Sequence, residues 1–229
     1  MRCRITRGWS GFFVAFALSS GFAAAASADT IWTNWTSATV GAPGSASGVL
    51  GTTTVSYSGE LLNYNIIGSS SDWSPNSSFI GGSVTASPSV VGDILYLNGS
   101  YTGVNRITFA QAVVNPYIAI WSLGQSGSPA SFIFQGATPT LQAGGPNSSF
   151  GGQSITVNGT TVSGSEGNGV VQFNGVFTSL SWTNTFENYY GFTVGAAGVV
   201  PEPATIVTLG IGLVGVGLAS RHLRRKARA

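Results

Sequence analysis

Charged side chains, histidine and cysteine are scarce in this sequence of 229 residues. Only 7% of the residues are Asp, Glu, Lys or Arg, against about 25% in average soluble proteins. There is one cysteine, Cys3, and one histidine, His222. A disulfide framework, a zinc site built from several cysteines and an internal Cys–His pair are therefore excluded.

Nucleophilic catalysis has no support among these residues. A Ser–His mechanism needs a histidine base, and His222 lies in the basic C-terminal tail. The chain between its two ends has no Gly-x-Ser-x-Gly elbow, no Walker loop, no nucleotide-binding glycine motif and no His-Glu-x-x-His. The sequence predicts that the protein is not an enzyme, and it predicts no cofactor.

The nine basic residues lie almost entirely at the two ends of the chain. Arg2, Arg4 and Arg7 are near the start, five others follow residue 220, and only Arg106 lies between them. Residues 29–200 contain six acidic residues against this one arginine, which gives a net charge of −5. Phosphate binding needs clustered Lys and Arg. Nucleic acid is therefore excluded as a partner.

The first 28 residues have the order of a secretory signal peptide. A basic start is followed by an apolar run at residues 11–26 and by Ala26-Ser27-Ala28, a small-x-small cleavage site. We expect export by the Sec machinery and cleavage by signal peptidase after Ala28. The alternative, an uncleaved membrane anchor, is disfavoured because small and polar residues interrupt the apolar run at 19–21.

A second apolar segment, residues 204–220, lies near the C-terminus and contains no charge. As a helix it would be about 25 Å long, close to the lower limit for crossing a bilayer core. The tail that follows, residues 221–229, carries five cations: Arg221, Arg224, Arg225, Lys226 and Arg228. By the positive-inside rule we expect a transmembrane helix with this tail in the cytoplasm and residues 29–198 outside.

Directly before this segment stands the tripeptide Pro201-Glu202-Pro203. The order of tripeptide, glycine-rich apolar segment and arginine-rich terminus, in a chain that also has a signal peptide, resembles the PEP-CTERM sorting domain of Gram-negative bacteria. The resemblance covers residues 199–229. Two prolines fix φ near about −65° and lack backbone N–H donors, so they keep the segment extended and outside the helix. An extended segment suits binding by a protease.

The resemblance implies a transient membrane anchor and a processing enzyme. The expected partner is exosortase, an integral-membrane cysteine protease that recognises the motif and removes the tail. The product is then expected at the cell surface or outside the cell, where family members are associated with extracellular polysaccharide and biofilm. We therefore expect a non-enzymatic surface or matrix protein, with extracellular polysaccharide as a further partner.

Residues 29–198 have the pattern of one all-β domain. Short runs of Thr, Val, Ile and aromatic residues alternate with Gly, Ser, Asn and Pro, and no helical periodicity is evident. The run 117–123 is apolar on both faces, and residues 155–162 predict a hairpin at Asn158-Gly159. We expect two packed antiparallel sheets, as in a β-sandwich of jelly-roll type.

Strand faces and loops follow from the same pattern. Along residues 176–182 the period of two places Val176, Thr178, Leu180 and Trp182 on one face. The same period places Phe186 on a face with Tyr190, Phe192 and Val194. Residues 36–47, 69–78 and 141–152 are rich in Gly, Ser and Pro and are predicted to be loops. Asn-Gly pairs at 98–99, 168–169 and 174–175 offer further tight turns.

Five carboxylates of the body could serve a secreted glycosidase, which needs two of them about 5–10 Å apart. They are Glu60, Asp72, Asp93, Glu166 and Glu187. The interpretation that we favour is that all five are solvated charges of loops and sheet faces. Asp72 and Asp93 lie in or beside loops whose oxygens suit calcium, but no Asp-x-Asp-x-Asp spacing is present, so no metal ligand is assigned.

A lectin-like carbohydrate-binding module is the main alternative to a matrix protein. Sugar rings stack on exposed aromatic faces, and Trp73 follows Asp72 in a serine-rich segment outside the predicted strands. Trp73 is therefore the candidate sugar-binding residue. Trp121 and Trp182 lie in apolar runs and are expected in the core.

Overall fold

The computed structural model describes residues 29–68, 71–89 and 92–198 of the chain, and these residues form two β-sheets. The strands of the first sheet are β1 (Thr30–Trp32), β5 (Asn63–Asn65), β6 (Ile94–Leu97), β8 (Tyr117–Leu123), β10 (Pro139–Gly144), β11 (Gln153–Ser154), β14 (Gly167–Phe173) and β16 (Tyr190–Ala197). Those of the second are β2 (Asn34–Thr39), β3 (Gly41–Leu50), β4 (Thr53–Leu61), β7 (Asn105–Val114), β9 (Ala130–Phe134), β12 (Thr156–Asn158), β13 (Thr161–Gly164) and β15 (Val176–Asn184). A short 3-10 helix covers Asn76–Ser78. The all-β prediction is confirmed.

The strands pair in a nested order. The first sheet runs β10-β14-β8-β16-β6-β5, with β1 also on β16, and the second runs β12-β13-β9-β15-β7-β4-β3-β2. Strand β6 pairs with β16, β7 with β15, β8 with β14 and β9 with β13, all antiparallel. The two-residue strand β11 pairs with β14 in parallel. Successive strands from β6 to β9 therefore alternate between the sheets, and their partners return in reverse order.

Aromatic side chains of both sheets meet in one core. Phe192 of the first sheet has its ring centroid 5.2 Å from Tyr57 and 5.2 Å from Trp182, both in the second sheet. Trp182 stacks on Phe132 at 5.6 Å. All of these side chains are fully buried or nearly so. Aromatic side chains bury large apolar areas, so this cluster accounts for much of the attraction between the sheets.

Strand β8 is buried along its whole length, as its sequence predicts. Ile118 and Ile120 face the core between the sheets, whereas Tyr117, Ala119 and Trp121 belong to a second cluster. This second cluster also contains Trp73 and Phe79, from the segment between β5 and β6. That segment therefore covers one face of the strand while the second sheet covers the other.

The hairpin prediction at Asn158-Gly159 is confirmed. Asn158 pairs with Thr161 at the end of β12 and β13, and Gly159 has a φ of 58°, as a tight turn requires. The other Asn-Gly pairs have different roles. Gly175 (φ 133°) joins β14 to β15 in the other sheet, and Gly169 lies inside β14 beside a register shift.

The prediction of a loop at residues 36–47 is wrong. Most of that segment belongs to β2 and β3, which pair with each other, and β3 pairs in addition with β4. Its residues are too small to show an apolar alternation, and only Ala46 of the segment 41–47 is buried. At Gly48 a Cβ would lie 2.5 Å from the carbonyl oxygen of Asn34, so close strand approach explains the glycine. The predicted loop 141–152 likewise begins inside β10.

The predicted face of β15 is also wrong at its start. Between Phe177 and Ser179 the register shifts, because the paired residue of β7 changes from Val113 to Thr108. This odd shift breaks the alternation of faces along β15. Val176 is consequently 68% exposed, while Leu180 and Trp182 point into the core as expected. Phe186 is 62% exposed and precedes β16, so it does not share the buried face of that strand.

The segments predicted at the two ends of the chain, residues 1–28 and 199–229, lie outside the described residues. Across 29–68, 71–89 and 92–198 there is no helix with the length and hydropathy needed to cross a membrane.

Candidate functional site

The described body ends three residues before the Pro201-Glu202-Pro203 motif. Gly198, its last residue, donates its backbone N–H to the carbonyl oxygen of Asp29 at 2.7 Å. The strands behind these two residues are paired, with Thr30 opposite Ala197. Both ends of the body therefore leave the first sheet side by side. The proposed cleavage residues Ala26 and Ala28, the motif and the basic tail all lie outside the described residues.

Trp73 is not an exposed platform. Its side chain has 0% exposure, and its ring meets Phe79 edge-on at 5.1 Å. Its indole N–H donates to the carbonyl oxygen of Gly92 at 3.1 Å. Both faces of the ring are therefore unavailable for stacking on a sugar, which corrects the expectation from the sequence. The reason is long-range packing, since the segment that carries Trp73 folds onto the outer face of β8.

The aromatic residues that are exposed are not tryptophans. Phe186, Phe150 and Tyr64 are 62%, 56% and 37% exposed. Trp35, Trp121 and Trp182 are each no more than 2% exposed, and Trp32 is half-buried. Among the described tryptophans only Trp32 keeps partly exposed surface, and the expectation that Trp121 and Trp182 lie in the core is met.

Glu60 is a buried carboxylate, 3% exposed, so the prediction that it is a solvated charge is wrong. It lies at the end of β4 and accepts hydrogen bonds from four consecutive residues between β6 and β7. The donors are the backbone N–H groups of Asn98 (3.3 Å), Gly99 (2.6 Å), Ser100 (2.9 Å) and Tyr101 (3.1 Å), together with the Ser100 hydroxyl (2.8 Å). One carboxylate therefore satisfies four consecutive N–H groups of this loop.

The network continues from Glu60 into the core. The Asn184 amide donates to Glu60 at 3.2 Å and to the Tyr190 hydroxyl oxygen at 2.6 Å. The Tyr57 hydroxyl donates to Asn105 Oδ1 at 2.7 Å. Burial is the main cause that raises the pKa of Tyr57 well above its ordinary value, and the nearby Glu60 charge adds to the shift. Burial also raises the pKa of Tyr190. Both tyrosines therefore stay neutral and act as hydrogen-bonding groups, and the cluster stabilises the fold.

The two aspartates considered for calcium each have a protein partner. Asp93 accepts the backbone N–H of Trp35 at 2.8 Å, and burial raises the pKa of its carboxyl above the ordinary value although this hydrogen bond opposes the shift. Asp72 accepts the hydroxyl of Tyr96 at 2.6 Å. Among the residues that the structure describes, no three His, Cys, Asp or Glu side chains come together as metal ligands.

Glu166 and Ser122 form a hydrogen-bonded pair with unusual backbone geometry. The Ser122 hydroxyl donates to Glu166 Oε2, and both residues have positive φ, 55° and 56°, which costs about 1–3 kcal/mol at a non-glycine residue. Asn168 holds both, because its Oδ1 accepts the Ser122 N–H and its amide donates to the Glu166 carbonyl oxygen, each at 2.8 Å. These bonds fix the carboxylate on the end of β8.

Glu187 is the one carboxylate of the described residues with a buried oxygen, Oε2, that has no hydrogen-bond partner there. The residue is 4% exposed. Burial raises the pKa of Glu187, the backbone N–H groups of Tyr189 and Asn188 oppose the shift, and the charge of Glu166 adds to it. A glycosidase would need this carboxyl to reach its substrate as an acid or a base. Oε2 is sealed from solvent, so no substrate oxygen reaches it in this conformation.

Sequence reasoning missed the Glu60 network and the burial of Glu187. The sequence holds one local signal for the Glu60 network: Asn98-Gly99 predicts a turn, and the N–H groups of a turn need an acceptor. Which carboxylate supplies it depends on β4 and β6 coming together, and no local pattern shows that.

Comparison with known proteins identifies the C-terminal segment. Residues 199–226 match the family model of the PEP-CTERM protein-sorting motif. This matched segment contains the tripeptide at 201–203. No curated protein and no solved structure matches the chain significantly. The motif indicates a protein that is sorted to the exterior through exosortase. The chain is thus a PEP-CTERM domain-containing protein.

Proposed function

We propose that the protein is exported across the inner membrane, anchored transiently by residues 204–220, and released when exosortase cuts near Pro201-Glu202-Pro203. The observation that carries this proposal is the match of residues 199–226 to the sorting motif. The uncharged segment and the cations after it, from Arg221 onward, supply the membrane anchor and its orientation.

The N-terminal step is separate from this one. Residues 1–28 serve as a signal peptide for Sec export, and signal peptidase cuts after Ala28. The composition of the remaining body supports this route, since it retains no cysteine and has only one basic residue before the motif, Arg106. Removal of both ends yields a thiol-free, acidic protein at the cell surface or outside the cell.

The released body acts as a non-enzymatic component of the surface or of an extracellular matrix that contains polysaccharide. Its carboxylates support this role, because Glu60, Asp93 and Glu166 each stabilise backbone or side chains of the fold. The nested pairing of β6 to β9 with their partners supports a β-sandwich of jelly-roll type. Such a body, closed around an aromatic core, suits a matrix component.

The sorting step is tested by replacing Pro201, Glu202 and Pro203 with alanine. The triple variant keeps the apolar segment but loses the extended, charged junction, so it should accumulate in the membrane fraction. Mass spectrometry of the extracellular fraction should find wild-type protein that ends near the motif. A matched control, Val207→Leu with Leu209→Val, keeps composition and hydropathy and should be released like wild type.

Two results would overturn the proposal. One is released wild-type protein that still carries residues 221–229. The other is release of the alanine variant at the wild-type rate, which would show that the motif takes no part in processing.

A further inference from the structure

A cleft with a volume of about 570 Å³ opens at the end of the body where β3 turns into β4 and β7 approaches β8. This volume is within the range of small-molecule sites. Leu50, Thr53 and Val113 contribute from the second sheet, and Ile31, Tyr117 and Gln172 from the first. The cleft therefore combines apolar and polar side chains of both sheets in one concave surface.

Gln172 contributes a side-chain amide without a protein partner to this cleft. Its residue is 9% exposed, and it lies on β14 opposite Tyr117 of β8. Its side-chain amide makes no hydrogen bond within the described part of the chain. Two neighbouring polar groups do have protein partners. The Tyr117 hydroxyl donates to the Ser83 hydroxyl at 3.0 Å, and Thr53 Oγ1 accepts the Gln111 N–H at 3.0 Å.

The Gln172 amide is open to a ligand, because no protein group occupies it and its atoms are not sealed from the cleft. A glutamine amide offers two donors and an acceptor, which matches hydroxyl groups that donate and accept. An apolar ligand in the cleft would remove water from this amide without replacing its hydrogen bonds. A ligand with hydroxyl or similar neutral polar groups would replace them.

The charge of the cleft restricts the ligand further. Among the described residues that line it there is no Asp, Glu, Lys, Arg or His. An anionic ligand would have no positively charged side chain to pair with, and a cationic ligand would have no carboxylate. Either ligand would lose hydration without compensation. Apolar side chains such as Ile31 and Leu50 complement C–H surface instead. A neutral ring compound with several hydroxyl groups has both kinds of surface.

We propose that this cleft binds a neutral saccharide, with the Gln172 amide on its hydroxyl groups and the Ile31 and Leu50 side chains against its C–H face. The proposal goes beyond the sorting function and does not depend on it. The site is also distinct from Trp73, which lies in the second cluster on the outer face of the first sheet.

The test uses the full chain in a zwitterionic detergent without sugar groups, since a maltoside would compete. The probes are maltohexaose, cellohexaose and laminarihexaose, with hexagalacturonate as the anionic comparison. Saturation-transfer NMR and calorimetry measure binding. We expect wild type to bind at least one neutral hexasaccharide and not hexagalacturonate. Gln172→Leu should weaken that binding about tenfold, as expected for one lost hydrogen bond with a desolvated partner.

Two further variants keep the test decisive. Ala112→Trp, at an exposed position that lines the cleft, fills the space without removing a side-chain hydrogen bond and should abolish binding. Gln135→Leu changes an exposed glutamine outside the cleft and should bind within twofold of wild type. Release of the Gln172 and Ala112 variants from cells should be unchanged, which separates failure here from failure of the sorting proposal.

Several outcomes overturn the proposal. They are the absence of binding to all three neutral probes, binding to hexagalacturonate alone, and undiminished binding by both cleft variants. A fourth is a wild-type dimer in analytical ultracentrifugation that Ala112→Trp converts to a monomer, which would make the cleft an interface between copies of the chain.

Discussion

The carboxylate of Glu60 accepts the backbone N–H of Gly99 at 2.6 Å, although 39 residues separate them in the chain. Glu60 ends a strand of the second sheet, and Gly99 lies in the loop that returns from the first sheet to the second. One buried charge thereby fixes a crossing between the sheets. Without it, several N–H groups of this loop would have no acceptor in the described structure.

Glu60→Gln should lower the free energy of unfolding by about 2–4 kcal/mol. The substituted amide would place an N–H₂ group against backbone donors that now point at an oxygen. Urea unfolding followed by tryptophan fluorescence measures the change. The matched control is Asp29→Asn, which neutralises an exposed carboxylate and should change stability by less than about 0.5 kcal/mol. Equal stability of the two variants would contradict the structural role of Glu60.

Glu187→Gln should remove a pH dependence of stability. Burial raises the pKa of Glu187 in the folded protein, so the folded state favours the neutral acid, and this contribution is fully present below the ordinary glutamate pKa of about 4.3. It is lost as pH rises through the raised pKa of the folded state. The difference in stability between variant and wild type should therefore shift in favour of the variant from about pH 4 to pH 7.

Thermal unfolding at steps of pH measures this difference. A difference between wild type and Glu187→Gln that is the same at every pH would show that the carboxyl titrates as an exposed group. Asp29→Asn again supplies the comparison for a solvated acid.

Trp73→Ala should destabilise the protein by about 3–5 kcal/mol, because it leaves a cavity where a fully buried ring packs on Phe79. Trp73→Phe keeps an aromatic ring in that space but loses the hydrogen bond to Gly92, and should cost about 1–2 kcal/mol. Chemical unfolding ranks the two variants. A Trp73→Ala protein as stable as wild type would show that the ring is exposed in solution.

Residues 29–198 produced alone should fold as a soluble, β-rich monomer. The apolar cluster between the sheets and the Glu60 network are built wholly from residues in this range. Far-UV circular dichroism should show strand with no substantial helix, and heating should give a cooperative transition. An unordered or helical spectrum would contradict the assignment of the fold to this segment.

Sequence patterns predicted the elements whose signal is local. Strand β8 was predictable because its sequence is apolar at every position except Ser122, and the β12–β13 hairpin because Asn-Gly marks its turn. The sorting motif was predictable for the same reason, since tripeptide, apolar segment and basic tail are consecutive. The confirmed part of the fold is the all-β class with two sheets.

What the sequence did not predict depends on contacts between distant residues. The segment 36–47 of β2 and β3 consists mainly of Gly, Ser, Ala and Thr, so it carries no apolar alternation and the sequence predicts a loop there. The register shift between β15 and β7 depends on residues of both strands. Trp73 is buried by a segment that folds over β8, and Gln172 becomes a cleft residue only when strands of both sheets meet beside it.

Strand β16 has a mechanical consequence, because it is the last strand before the sorting motif. It is hydrogen-bonded to β8 along one edge and to β6 and β1 along the other. Tension applied along this strand from the C-terminal side loads the bonds of both edges in parallel, so they must rupture together rather than peel apart in sequence. A body tethered through this end therefore resists drag from flowing medium with a strand in the interior of a sheet, which is a stronger attachment than an edge strand would give.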